Sequence, residues 1–236
     1  MSTNMKKVIN IMMAFALLVC GSSCSSKKEI KNMADGHEYV DLGLPSGTKW
    51  ATYNVGASKP TEYGDYFAWG ETKPKKKYNW TSYKWIDGSP FYIKKYCNQI
   101  ELNCTVDFLI ELQPSDDAAT ANWGTAWRMP TTDELKELKV GCDWNYVENF
   151  DSCGVNGLLG TSKLNGATIF LPAGGEFNEY SDSQQNGIGH DGYFWSSSIS
   201  KVSFNSASYL YFVDNYINND GSCYRYAGHS VRAVLR

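Results

Sequence analysis

Few side chains in this sequence have the type and spacing that chemistry demands. Past position 24 there are five cysteines, Cys97, Cys104, Cys142, Cys153 and Cys223. None stands in the Cys-x-x-Cys spacing that zinc ribbons and thioredoxin-like redox centres use. In an exported chain the local pairs are Cys97–Cys104 and Cys142–Cys153, which leaves Cys223 over. The other reading is five buried thiols. Three histidines, His37, His190 and His229, could serve as a base. Each lies beside Gly or Ser, and no Gly-x-Ser-x-Gly elbow or His-Glu-x-x-His helix accompanies them. They read as structural hydrogen-bonders, and no catalytic residue is assigned. Asp116 and Asp117 could offer carboxylate oxygens to calcium, which needs six to eight oxygen ligands. They could equally head a helix over Ala118, Ala119 and Thr120, where acids favour the N-terminal dipole. No cofactor is expected otherwise.

The stretch richest in contact chemistry is residues 205–226. Its candidate ligand-binding residues are Asn205, Ser208, Tyr211, Asp214, Tyr216, Asn218, Asn219, Tyr224 and Tyr226. Tyrosine with small polar residues combines rigid contact area with adaptable hydrogen bonding. In a strand of period two, Tyr209 and Tyr211 point to one face and Leu210 and Phe212 to the other. The competing reading is a polar turn region over a core strand.

The elements that must position these residues are short. Only residues 122–141, NWGTAWRMPTTDELKELKVG, read as a helix with both ends written in. Thr131 and Glu134 have the Thr-x-x-Glu spacing of a capping box. Leu135 and Leu138 share a face, and Gly141 offers a left-handed stop. Strands are expected at 38–42, 48–54, 65–69, 168–171, 193–197, 207–213 and 230–235. Residues 71–96, 154–160 and 178–192 read as loops. There is no repeat at a fixed period.

The chain has 236 residues, 42% hydrophobic and 14% aromatic, enough for one sizeable core. Residues 1–23 read as a leader: Lys6 and Lys7, then an apolar run from Val8 to Val19 that is too short to span a bilayer. The small residues before Cys24 resemble the lipobox of bacterial lipoproteins, in which that cysteine is acylated. Cys24 fits better than Cys20, since Ser23 is small and Val19 is bulky. Lys27 and Lys28 depart from the acidic run of surface-exported lipoproteins, so the leaflet is left open. Residues 24–36 read as a tether and 37–236 as the domain. Without the two leader lysines, 20 basic residues face 25 acidic ones, a charge of −5. With that balance no nucleic-acid footprint is expected.

Six segments occur in order: EYVDLGLPSGTKWA, QPSDDAATANWG, WRMPTTDELKEL, NGATIFLPAGG, GYFWSSS and GHSVRAV. Together they resemble the Fibrobacter succinogenes major paralogous domain of Bacteroides-type bacteria, across about residues 37–236. The resemblance implies an α+β, C-type-lectin-like domain: short antiparallel strands around one or two helices, with long loops. It also implies that the ends meet, with residues 38–42 pairing 230–235. The calcium motifs of sugar-binding lectins are not intact in Gln113-Pro-Ser-Asp116 or Trp144-Asn-Tyr. Cys223-Tyr-Arg-Tyr226 resembles part of formylglycine-generating enzymes, but their second nearby cysteine is missing. The expectation is therefore a cell-envelope lipoprotein, held to the outer membrane by lipid on Cys24. Its domain is non-catalytic and binds a glycan or protein ligand. The alternative is a structural component packing against a protein partner; an enzyme is the third reading.

Overall fold

The computed structural model describes residues 32–100, 103–179 and 185–235. The leader, Cys24 and most of the expected tether lie outside the described residues. The first strand, β1 (Asn32–Ala34), nevertheless falls within the segment read as tether. It forms a hairpin with β2 (His37–Asp41) through Asp35-Gly36, both at positive φ. Two-residue turns of that geometry match the twist of the flanking strands.

The chain continues through β3 (Lys49–Ala51), β4 (Ile86–Asp87), β5 (Ser89–Ile93), α1 (Ala118–Trp123), β6 (Trp127–Arg128) and α2 (Thr132–Gly141). Then follow β7 (Cys142–Phe150), β8 (Val155–Ser162), β9 (Thr168–Pro172), β10 (Gly174–Phe177) and β11 (Gln185–Ile188). The last are β12 (Asp191–Ile199), β13 (Ser206–Val213), β14 (Tyr216–Asn218), β15 (Ser222–Tyr224) and β16 (Val234–Leu235). They form four sheets: β1-β2-β3-β16-β6, β11-β10-β12-β13-β14 with β15 also on β13, β7-β8-β9, and β4-β5.

This is a β-rich fold, and it corrects the α+β, lectin-like expectation. The two α-helices among the described residues have 6 and 10 residues and are not the frame around which the strands gather. The error arose from polar segments read as loops. Residues 154–160 fall in and beside β8, and Cys142–Phe150 pairs with it from Cys142↔Ser162 to Phe150↔Val155. One face of β7 is wet, so its sequence is too polar to stand out as a strand. Conversely, residues 65–69 make only an isolated bridge, Phe67↔His229. The expected pairing of 38–42 with 230–235 is also corrected: β16 pairs β3, through Val234↔Trp50, and β3 lies between it and β2.

Two apolar clusters flank the β12–β13 pair. Trp195 and Ala207 join Trp69, Tyr96 and Trp127 on one side. Phe194, Leu210 and Phe212 join Trp50, Leu135, Leu138 and Leu158 on the other. The period-two alternation read in residues 207–213 is thus a strand buried on both faces over much of its length.

Helix α2 is capped as its sequence requires. The Thr131 side chain accepts from Glu134 N–H, and Glu134 Oε2 accepts from Thr131 N–H at 2.8 Å. The glutamate also takes both guanidinium nitrogens of Arg128, at 2.6 and 2.5 Å, and the Thr48 hydroxyl at 2.9 Å. Burial works against its ionisation, but these partners outweigh it and hold its pKa down at about 2. The serines of GYFWSSS dock the helix onto the sheet: Ser198 Oγ accepts from Thr132 N–H at 3.0 Å. Gly141 is not a left-handed stop. It is the last helical residue, and a Cβ there would meet Leu44 Cδ2 at 2.3 Å, so it is glycine to let Leu44 close in.

Candidate functional site

Strand pairing decides which side chains of the C-terminal half meet. Tyr193 stands opposite Tyr211 and Trp195 opposite Tyr209 across β12–β13. Cys223 of β15 stands opposite Ala207. Directly opposed residues share a face, so Tyr193, Trp195, Tyr209, Tyr211 and Cys223 project from one side of the sheet. The Tyr193 ring lies 4.9 Å from Tyr211 and 6.1 Å from Tyr209, and Tyr209 lies 6.4 Å from Tyr211. All three are partly buried. Tyr216, opposite Val213, extends the tyrosine face into solvent at 60% exposure.

His229 packs against these rings from a strand-like segment bridged to Phe67. It is wholly buried, stacks on Trp195 at 4.0 Å, and lies 5.2 Å from the Tyr193 ring and 5.4 Å from the Tyr209 ring. Its Nε2 is 2.9 Å from Glu176 Oε2, and its Nδ1 has no hydrogen-bond partner among the described residues. Asn178 donates to the other carboxylate oxygen of Glu176 at 2.6 Å. One ligand atom each of Glu176, Cys223 and His229 lie within 4.8 Å of one another.

The surroundings are acidic. Burial opposes ionisation of Glu176, but hydrogen bonds from His229 and Asn178 outweigh it and lower its pKa. Burial raises the Asp191 pKa, helped by the charges of Asp214 and Glu176. Burial, with the Glu176 charge nearby, pushes the Cys223 thiol up to about 12. Burial and the neighbouring Cys223 and Glu176 charges likewise push Tyr209 up to about 12. The tyrosines are therefore neutral phenols over a negative floor. Such a surface suits a ligand offering C–H faces, hydroxyl groups or positive charge.

A second recess lies behind the same sheet, at the start of α2. One cleft of about 300 Å³ is lined by Ile110, Glu111, Thr132, Asp133 and Ser198 among others. A neighbouring cleft of about 180 Å³ adds Lys136, Ser208, Asn219 and Ser222. Asn219 is 2% exposed, and its Nδ2 has no partner among the described residues.

The residues read from the sequence as one surface are split by the fold. Tyr211 and Tyr216 belong to the tyrosine face. Asp214 is exposed at a positive-φ turn beside it. Asn218 Oδ1 accepts from Asp220 N–H at 2.9 Å and shapes a turn. Ser208 and Asn219 are buried and line the cleft behind. Asn205 accepts from the Ser203 hydroxyl at 2.6 Å, a local brace. Tyr224 is 40% exposed and stacks on Tyr226, which is buried against Trp80. The single contiguous rim over 205–226 is corrected accordingly: strands β13, β14 and β15 present alternate residues to opposite sides.

Asp116 and Asp117, read as metal candidates, both have protein partners. Asp116 is bound by Lys84 at 3.2 Å, Lys95 at 2.6 Å and Tyr96 Oη at 2.6 Å. Asp117 caps α1 through Thr120 N–H at 2.9 Å and takes Met129 N–H at 2.8 Å. Cys97 and Cys104 are disulfide-bonded, whereas Cys142 and Cys153 are free. Cys142 opens the nine-residue strand β7 and Cys153 lies in the turn beyond its end. A strand that long separates them by roughly 25–30 Å, far beyond disulfide reach.

Sequence reasoning singled out His229 and Cys223 separately and did not reach Glu176. Gly174-Gly-Glu-Phe177 follows a compact apolar strand, and a lone buried acid there was the available signal. Compared with protein families, curated proteins and solved structures, the chain has no match.

Proposed function

We propose that this chain is a lipid-anchored protein of the cell envelope whose folded part recognises a glycan or protein ligand without catalysis. The carrying observation is the tyrosine face: Tyr193, Tyr209 and Tyr211 within 4.9–6.4 Å of one another, running out to the exposed Tyr216. Packed neutral phenols give rigid contact area at small entropic cost. The anchor rests on the leader pattern ending at Cys24. The six ordered motifs support kinship with the Fibrobacter succinogenes major paralogous domain, without the lectin-like fold.

A glycan and protein array probed with the detergent-purified full chain tests the reading. The double variant Tyr211→Ala, Tyr216→Ala is expected to lose at least about tenfold in affinity for the array hit, roughly 1.4 kcal/mol. Retention of full affinity by a folded double variant counts against this face.

A second reading, packing against a protein partner, is favoured by one observation. Ile100, Phe108 and Ile110 are 77%, 65% and 54% exposed, and Ile110 lines the 300 Å³ cleft. Exposed apolar side chains that gather into a patch mark contact surfaces, and Phe108 and Ile110 stand two residues apart. Pull-down of a protein partner that is lost in Phe108→Asp but kept in the tyrosine variant would favour it.

A further inference from the structure

We propose that Glu176, Cys223 and His229 form a binding site for a divalent transition-metal ion of zinc type. The site is independent of the recognition reading and uses none of the tyrosines as ligands.

Three features carry the assignment. First, the donor set is a carboxylate, a sulfur and an imidazole, brought together from three separate segments to within 4.8 Å of one another. Around a tetrahedral zinc ion such atoms lie roughly 3.3–3.6 Å apart. The ligand set therefore has to close by about 1 Å on binding. Sulfur and nitrogen donors select a borderline-soft ion over calcium or magnesium.

Second, the imidazole is free to ligate and the charges balance. His229 is fully buried, its Nε2 lies 2.9 Å from Glu176 Oε2, and its Nδ1 has no hydrogen-bond partner among the described residues, so no acceptor at Nδ1 fixes the tautomer. A divalent ion with one carboxylate, one thiolate and a neutral imidazole gives a site of zero net charge. Binding releases the Cys223 thiol proton to solvent.

Third, the ligands are braced. Asn178 holds the second oxygen of Glu176 at 2.6 Å, and the Trp195 ring stacks on His229 at 4.0 Å. Such outer contacts orient first ligands in metal sites. Three protein ligands also leave a fourth position for water or another donor.

The test is titration of the full chain, purified in detergent under reducing conditions, with Co²⁺ alone and then Zn²⁺. The expected result is one cobalt per chain with a thiolate-to-cobalt absorption in the near ultraviolet, bleached by zinc. Cys223→Ser is expected to abolish that absorption and weaken binding roughly 100-fold or more. Cys153→Ser, in the exposed turn, is expected to leave both unchanged. Asn178→Ala is expected to weaken binding about 10–100-fold with the absorption retained. A readout free of folding effects is alkylation of the unaltered chain: zinc should slow modification of Cys223 at least about tenfold and leave Cys153 untouched. Sub-stoichiometric cobalt, an absorption that survives Cys223→Ser, or equal alkylation of Cys223 with and without zinc would overturn the site.

Discussion

Glu134 shows how much one side chain can hold. It closes the capping box of α2, grips Arg128 with both oxygens and receives Thr48. Its pKa is lowered from 4.5 to about 2, so it contributes stability that is fully present above pH 4.5 and is lost as pH falls towards 2. The difference corresponds to roughly 3 kcal/mol. Glu134→Gln is therefore expected to destabilise the fold at pH 7 by about that amount. It should also flatten the dependence of stability on pH between 4.5 and 2. Urea unfolding at a series of pH values measures both; parallel curves for the two proteins would refute the assignment. The cap was legible in the sequence because both partners lie within one turn of each other. The Thr48 contact was not, because nothing in local spacing announces a partner 86 residues away.

At the scale of elements, glycines and caps decide where chain segments can approach. Gly141 ends α2 where Leu44 presses in, and an added methyl would sit 2.3 Å from Leu44 Cδ2. On helix propensity alone Gly141→Ala would stabilise by up to about 1 kcal/mol. Overpacking costs about 1–3 kcal/mol, so the expected net effect is destabilisation. A thermal melt of Gly141→Ala with a raised midpoint would overturn this. Asp117 is a second case. Its two oxygens satisfy Thr120 N–H at the start of α1 and Met129 N–H beyond its end. Asp117→Ala takes the carboxylate acceptor from two buried backbone donors and is expected to cost about 2–4 kcal/mol. Denaturant midpoints at unchanged slope would measure it, and a loss below about 0.5 kcal/mol would contradict it. The helix-start reading of Asp117 needed only the residues that follow it. Its second bond, to Met129, needed the fold.

Across the whole molecule, buried arginines from the C-terminal segment tie distant parts together. Arg232 is 1% exposed and donates to Asn54 Oδ1 at 2.9 Å, Ala51 O at 3.3 Å and Phe170 O at 2.9 Å. It thereby joins β3 of the first sheet to β9 of the third. Arg232→Ala strips three buried acceptors of their donor and opens a cavity, with an expected loss on the order of 3 kcal/mol or more. Urea unfolding tests this; an unchanged midpoint would show that the guanidinium is dispensable. Arg225 plays the same part elsewhere, donating to Lys95 O, Tyr96 O and Ser206 O and lying 4.9 Å over the Trp69 ring.

What the sequence by itself determined is whatever depends on neighbours within a few residues. The capping box of Thr131 and Glu134 and the period-two alternation around Tyr211 are of this kind. Each follows from a fixed rise or turn per residue, which spacing records directly. Only the tertiary structure decided that β7 and β8 pair, that the residues of 205–226 divide between two faces, and that Glu176, Cys223 and His229 converge. Those outcomes depend on strand register and chain crossings. The burial that sets them is a sum over contacts between distant segments, and no short window of residues contains it.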